Sequence, residues 1–291
     1  MNKKLLRQMR KAASTVNPVM ANHIMYYSLM KKRLHLRKPE TLNEKINWLK
    51  LNVFPENSLV IQCTDKVAVR GYIKGKGYGH LLNECYGIWD SASDIDWNTL
   101  PKQFVLKCNH GCGYNIICTD KSIIDISKTA HQLNDWMDED FGKVTCEPHY
   151  SKIPRKILCE KYLENDIVDY KFFCFHGEPK FFYISQNPAG DFRKGCYACF
   201  NLDGTLAPFQ RTDHPLFEVV PAMPAQLPEM IHIAAELSAD FPFVRVDLFD
   251  VSGKIYFSEL TFTPCSGMMP LTPESADYEL GTLLDLNRYR R

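Results

Sequence analysis

Two stretches of the chain hold side chains whose types and spacing could do chemistry. The first is FVLKCNHGCGYN, Phe104 to Asn115, where an apolar run ends in Lys107 and opens at once into a loop with Gly111 and Gly113. Glycines let backbone N–H groups approach an anion and the ammonium adds a point charge, so the pattern suits a phosphate. It is not a P-loop, because G-x-x-x-x-G-K-[ST] occurs nowhere in the chain. A strand end with a solvated lysine is the plain alternative. The second stretch is FVRVDLFDVSGKIYFSELTFTP, Phe243 to Pro264, two β-rich runs around a short loop with Gly253, and it reads as a hairpin. A three-residue loop closed by Gly253 in the left-handed region would put Arg245, Asp247, Glu259 and Thr261 on one face. Two carboxylates side by side there repel each other and invite a hard divalent cation with oxygen ligands. The alternative is a surface Arg245–Asp247 pair with Glu259 solvated, and a two- or four-residue loop sends the carboxylates to opposite faces.

The surrounding pattern supplies the elements that must position these groups. KPETLNEKINWLKLN carries Thr41 three residues before Glu44, a capping box ahead of an amphipathic helix. CTDKVAVRGYIKGKG places Asp65 as the cap of a helix through Val67, Val69 and Tyr72 that ends in the Gly75 to Gly79 cluster. LLNECYGIWD gives a short strand, and a helix is expected from about 127 to 140. KILCEKYL forms a further strand, and DYKFFCFHGEPKFFYIS forms a hairpin with its turn at His176 to Glu178.

Composition narrows the function classes. At 291 residues, 45% apolar and a net charge of +1, the chain is long enough for a substantial core and lacks the charge excess of a nucleic-acid binder. Its eleven cysteines are scattered rather than spaced as a disulfide framework, which suits a reducing cytosol. Cys196 and Cys199 have C-x-x-C spacing, yet only Cys108 and Cys112, inside the glycine loop, could complete a zinc site with them. Cys108 and His110 are close in sequence, but no convincing nucleophile–base pair follows from that. No apolar run reaches the length of a membrane span and the N-terminus has no signal-peptide core.

The near-neutral total hides an asymmetry. Before Glu40 the chain carries Lys3, Lys4, Arg7, Arg10, Lys11, Lys31, Lys32, Arg33, Arg37 and Lys38 and no acidic residue. Interleaved with Leu5, Leu6, Met9, Val19, Met20, Ile24, Met25, Tyr26, Leu29 and Met30, this arm reads as two short helices parted by Pro18. Such helices suit an anionic surface, or equally pack on their own domain.

Together the motifs resemble the ATP-grasp superfamily: a Lys-tipped strand with a Gly loop, a strand ending CEKYLEN, then a hairpin with R-x-D and E-x-T-x-x-P. KPETLNEKINWLK, TDKVAVRGY, LPKQFVLKCNHGCGYNII, DYKFFCFHGEPKF and ELTFTPCSGM more specifically resemble its TupA-like branch, from about residue 35 onward. The resemblance implies an α+β ATP-grasp fold, two α+β subdomains clasping ATP, with a helical N-terminal extension. Residues 1–40 would be the basic extension, 41–100 a pre-grasp region, 101–160 the small lid subdomain and 161–291 the large one with the metal hairpin.

The resemblance also implies roles. Lys66 and Lys107 would reach nucleotide phosphates, with Gly111 and Gly113 in the loop that closes over them. Glu160, Lys161, Tyr162 and Leu163 match the adenine-recognising segment, and Asp166 or Asp169 the ribose contact. Asp247 and Glu259 match the magnesium carboxylates, and Arg245 a γ-phosphate or acyl-phosphate contact. Thr261 stands where the superfamily usually has Asn and would be a weaker metal ligand. Arg193, in the Gly-flanked loop AGDFRKG, is the leading acceptor-site candidate, ahead of His214 and Ser266. The implied activity is a cytoplasmic, ATP- and Mg2+-dependent ligase that joins a carboxylate to an amine through an acyl phosphate, on a uronic acid of a surface glycan. The alternatives are a kinase acting on a hydroxyl, and a non-catalytic module that the basic arm recruits to a membrane or a lipid-linked glycan.

Overall fold

The structure, a computed structural model, describes residues 3–163, 167–186 and 195–290. Two helices open the chain, α1 (Lys3–Val16) and α2 (Pro18–Met30), and Pro18 stands in the first turn of α2 where its missing N–H costs nothing. Asn17 caps α2 by accepting from the Met20 N–H at 2.9 Å. The Thr41–Glu44 capping box is present at the start of α3 (Leu42–Asn52). Next come α4 (Ser58–Thr64) and α5 (Val69–Gly75). Asp65 ends α4 instead of heading a helix at Val67, because its Oδ1 accepts from the Val67 N–H and bends the chain before α5 begins.

Four strands, β1 (Cys85–Trp89), β2 (Phe104–Cys108), β3 (Asn115–Cys118) and β4 (Ile157–Lys161), form an antiparallel sheet in the order β1-β4-β2-β3. Between β3 and β4 lie α6 (Ile126–Asp138) and α7 (Phe141–Thr145). Phe104, Leu106, Cys108, Ile157 and Cys159 form the core beneath this sheet with Leu133. β1 pairs with β4, so residues 85–89 belong to the same sheet as β2 and β3. Residues of α3, α4 and α5, including Ile46, Val60 and Ile73, instead join the larger core. A short local strand in the sequence does not reveal which of two sheets it will enter.

The larger sheet comprises β5 (Val168–Phe175), β6 (Glu178–Gln186), β7 (Cys196–Asn201), β9 (Phe243–Val251) and β10 (Lys254–Thr261), in the order β10-β9-β5-β6-β7. A two-residue strand β8 (Gln210–Arg211) pairs with β11 (Leu271–Thr272), and two further helices are α8 (Leu227–Ser238) and α9 (Ser275–Thr282). One face of the large sheet packs Phe172, Phe182, Val246 and Leu248 with Met230, Ala234 and Leu237 of α8. Strand alternation then sends the intervening residues to the other face, where Phe173, Phe175, Phe181 and Phe243 pack together at one end of the strands and polar side chains occupy the other.

Candidate active site

The polar end of that face of the large sheet carries Glu259 and Thr261 on β10, Arg245 and Asp247 on β9, Asp169 and Lys171 on β5, and Tyr183 on β6. Register brings them together: Asp247 lies opposite Glu259 and Lys171, and Arg245 opposite Thr261. The route to this register differs from the odd-length turn read in the sequence. Only Ser252 and Gly253 form the turn, both with positive φ (51° and 81°), as a two-residue hairpin that matches strand twist requires. Val251 faces Lys254, and continued regularly this pairing would set Asp247 opposite Ser258. A β-bulge between Phe257 and Glu259 inserts the missing residue and returns Glu259 to the face of Asp247.

Arg245 is the hub. Its Nη2 lies 2.6 Å from Asp247 Oδ2, 3.2 Å from Glu259 Oε1 and 3.0 Å from Thr261 Oγ1, while Nε donates to Asp247 Oδ1 at 2.7 Å. Nη1 donates to the Tyr183 hydroxyl at 3.1 Å. Lys171 Nζ lies 2.5 Å from both Asp247 Oδ2 and Asp169 Oδ2. The expected repulsion between Asp247 and Glu259 is therefore answered by two cations within the fold. Burial pushes the Glu259 carboxyl up, but Lys66, Arg245 and Lys171 outweigh it and hold the group at about 2. Asp169 behaves oppositely: burial raises it, Lys171 opposes, and Asp247 adds to the rise.

The small sheet supplies more positive charge. Val105 pairs with Glu160 and Lys107 with Leu158, so Lys107 and Glu160 are diagonal neighbours on one face. Lys107 Nζ donates to Glu160 Oε2 at 2.6 Å, and Arg70 Nη1 donates to Oε1 at 3.0 Å. Glu160 is thus the shared counter-ion of two cations. Lys66 Nζ donates to the Gly111 carbonyl at 2.6 Å, which ties α5's approach to the glycine loop and brings the loop's cation to bear on Glu259. Gly113 has φ of 75°. Gly111 is required by space, because a Cβ there would stand 2.5 Å from the Tyr114 ring. Gly111→Ala should displace Tyr114 and the loop, lowering stability by about 1–3 kcal/mol, the usual scale for overpacking, and weakening ATP binding. Thermal unfolding with and without ATP checks both effects.

The other sequence candidates fall as follows. The Lys161 carbonyl accepts from Asn83 Nδ2 at 2.7 Å and its N–H donates to the Glu84 carbonyl at 2.9 Å, with Tyr162 and Leu163 following in the chain after β4. Asp166 and Arg193 lie outside the described residues. His214 stacks on Tyr197 with ring centroids 4.0 Å apart, and Ser266 donates to Glu147 at 3.0 Å. Cys108 and His110 are both buried in the small subdomain, and burial pushes the Cys108 thiol up to about 12, which disfavours a thiolate. All eleven cysteines are free.

Three residues at the site, Lys171, Arg70 and Tyr183, are not among the sequence candidates. Lys171, inside the aromatic run DYKFFCF, is the same anomaly as Lys107, a charge within a strand. Arg70 and Tyr183 gain their roles only through contacts distant in sequence. The loop after β10 is held by α3, where Asn43, Asn47 and Lys50 form a buried polar stripe at helical spacing. Asn43 Nδ2 donates to the Met269 carbonyl at 2.9 Å, Asn47 Nδ2 to that of Gly267 at 2.6 Å, and Lys50 Nζ to that of Ser266 at 2.8 Å. These bonds support Cys265, Ser266 and Gly267, all three with positive φ.

A divalent cation can be tested against the donor set. Among the described residues no three His, Cys, Asp or Glu side chains are placed to hold a metal by themselves. Asp247, Glu259 and Thr261 do converge on the Arg245 Nη2 position, where a cationic nitrogen already stands between their oxygens. Two carboxylates and a hydroxyl fit magnesium, which usually completes its shell with water and substrate phosphates.

A small antiparallel sheet bearing Lys107 and Glu160 and a larger sheet with an Arg–carboxylate cluster are the parts of an ATP-grasp protein. The TupA-like ATP-grasp family model matches residues 44–285, and the chain belongs to that family. A search of curated proteins finds no match. Among solved structures, it is similar to an L-amino acid ligase from Bacillus licheniformis at 12% identity, covering 72% of this chain and 44% of that one, with a TM-score of 0.47. A D-alanine–D-alanine ligase from Bacillus anthracis complexed with ATP is 17% identical, with 78% and 65% covered and a TM-score of 0.46. An N5-carboxyaminoimidazole synthetase from Staphylococcus aureus complexed with ADP is 14% identical, with 78% and 52% covered and a TM-score of 0.47. The chain spans 44% to 65% of the length of these proteins.

Proposed function

We propose that the protein is an ATP-dependent carboxylate–amine ligase. The observation that carries this reading is the Arg245 cluster, a guanidinium ringed by Asp247, Glu259 and Thr261, with Lys66, which is bonded to the glycine loop, acting on Glu259. Lys66 and Lys107 would meet the phosphates under Gly111 and Gly113. Glu160, Lys161, Tyr162 and Leu163 would recognise adenine, with Asp166 or Asp169 toward the ribose. Asp247, Glu259 and Thr261 would hold magnesium, which supplies charge neutralisation on the phosphates.

A substrate carboxylate oxygen attacks the γ-phosphorus and ADP leaves. The amine nitrogen then attacks the acyl carbon, inorganic phosphate departs and the nitrogen gives up a proton. Arg245 is placed to offset charge on the transferring group, and no nucleophilic side chain is needed. The carboxylate proposed is that of a uronic acid in a cell-surface polysaccharide precursor, and the amine an amino acid, with Arg193 toward the acceptor. A screen for ADP release across uronic acids and amines, with mass detection of the amide, tests it. Release that needs both partners supports the ligase; release with an alcohol alone would make the protein a kinase.

Lys107→Ala should weaken MgATP use by about 2–4 kcal/mol, the scale for one transition-state charge contact. Glu160 keeps Arg70 at 3.0 Å, so the buried carboxylate stays paired and the fold holds. Unchanged ATP affinity and rate would remove Lys107 from the site.

A further inference from the structure

The two N-terminal helices lie outside the family-matched residues and present an unusual surface. In α1 the apolar and basic residues occupy opposite sides, with Leu5, Met9 and Val16 in one stripe and Arg7, Arg10 and Lys11 across from it. The helix is docked by its basic side: Arg7 meets the Glu139 carboxylate and donates to the Tyr114 hydroxyl. Its apolar stripe consequently points to solvent, with Leu5 49% and Val16 88% exposed. Helix α2 has no Asp, Glu, Lys or Arg and leaves Val19, Met20, Ile24, Tyr27 and Leu29 exposed. Eight of the seventeen large apolar side chains exposed among the described residues lie on these two helices. An apolar groove of about 270 Å³ runs between them, lined by Leu6, Met9, Ala13, Ile24 and Met25.

Charge complements this face. Beyond the C-terminal end of α2, Lys31, Arg33 and Arg37 take part in no salt bridge among the described residues, and Lys31 and Arg33 lie close after the exposed Leu29 in the chain. On the other side of α2, His23, His35, Arg37 and Lys38 line a recess of about 520 Å³, where Glu40 is paired to Lys38 and Glu44 accepts from the His35 and Glu40 N–H groups. An outward apolar stripe beside unpaired cations is the arrangement that enters the headgroup boundary of an anionic bilayer. Among the described residues no helix is long and apolar enough to cross a membrane.

We propose that α1 and α2 form a peripheral docking surface for anionic phospholipid, with the exposed apolar side chains in the headgroup boundary and the basic cluster on the phosphates. This surface is independent of the ligase chemistry. It would hold the protein where lipid-borne acceptors are found.

The test uses the full chain with vesicles of phosphatidylcholine alone or with roughly a third phosphatidylglycerol. Co-sedimentation is expected only with the anionic vesicles, falling as salt rises from about 0.05 M to about 0.5 M. Lys31→Asn/Arg33→Ser/Arg37→Ser should weaken it by about a hundred-fold, near five-fold per charge. Asn suits position 31, where φ is 57°. Met20→Asp/Ile24→Asp, both exposed, should abolish it while circular dichroism stays unchanged. Absence of binding to anionic vesicles, or binding indifferent to both sets of substitutions, overturns the proposal. So does a dimer in solution that Met20→Asp/Ile24→Asp dissociates without any vesicle binding, because the face would then belong to a second copy.

Discussion

Glu259→Gln is expected to reduce ATP-dependent turnover by about two to three orders of magnitude, on the scale of losing one preorganised electrostatic contact at a reacting centre. Glu259 is the more accessible carboxylate of the cluster, since its side chain is 33% exposed while that of Asp247 is 0% exposed. The same substitution should lower stability rather than raise it. Carboxylate repulsion alone predicts relief on neutralising Glu259, but Lys66, Arg245 and Lys171 surround it and prefer the anion. Its folded pKa of about 2 lies below the ordinary 4.5, so the stability it contributes is fully present above about pH 4.5 and is lost as pH falls through 2. At pH 3 wild type should still unfold at a higher temperature than Glu259→Gln, and the gap should close toward pH 2. Equal melting temperatures at pH 7, or a more stable variant, would return the site to a pair of repelling carboxylates. Steady-state ADP release, and scanning calorimetry at pH 7, pH 3 and about pH 2, read both halves of the prediction.

How far this site was legible follows from which contacts are local. The capping box at Thr41 and Glu44, the turn at His176 and Gly177, and the Lys107 strand end are written in adjacent residues, and the structure contains each of them. The shared face of Asp247 and Glu259 was legible as an outcome and not as a route. Ser252–Gly253 is a good two-residue turn on its own terms, and a bulge at Ser258 answers to the packing of both sheet faces, not to a turn motif. Lys171 meets Asp247 only because β5 lies beside β9, an order that hairpin reading cannot supply. Arg70 finds Glu160 across ninety positions of sequence. The outward apolar stripe of α1 reverses the usual inference from amphipathic helices, because the helix docks through Arg7 instead of through Leu5 and Met9.

Asp247→Asn should act on a different quantity, the fold itself, with a loss of about 3–5 kcal/mol, the range for breaking a buried ion pair by removing one partner. Asp247 is fully enclosed; its Oδ1 accepts from Arg245 Nε, and its Oδ2 meets both Arg245 Nη2 and Lys171 Nζ. The substitution leaves two buried cations with Asp169, Glu259 and the Thr261 and Tyr183 hydroxyls as their remaining partners. Lys171 feels the change most, because burial and Arg245 work against its charge and Asp169 and Asp247 are the main groups that hold it in place. Removing it should then relieve part of the damage: Asp247→Asn/Lys171→Met is expected to be more stable than Asp247→Asn alone. The coupling in this cycle should exceed about 1 kcal/mol, as for residues in one charge network. Activity should not return with stability, since Arg245 would still lack the carboxylate that orients its guanidinium. Chemical denaturation of wild type, both single variants and the double variant gives the cycle directly. If Asp247→Asn unfolds with wild type and loses only turnover, the residue acts on the ligand alone, and the charge network on this sheet face is not what holds Arg245 in position.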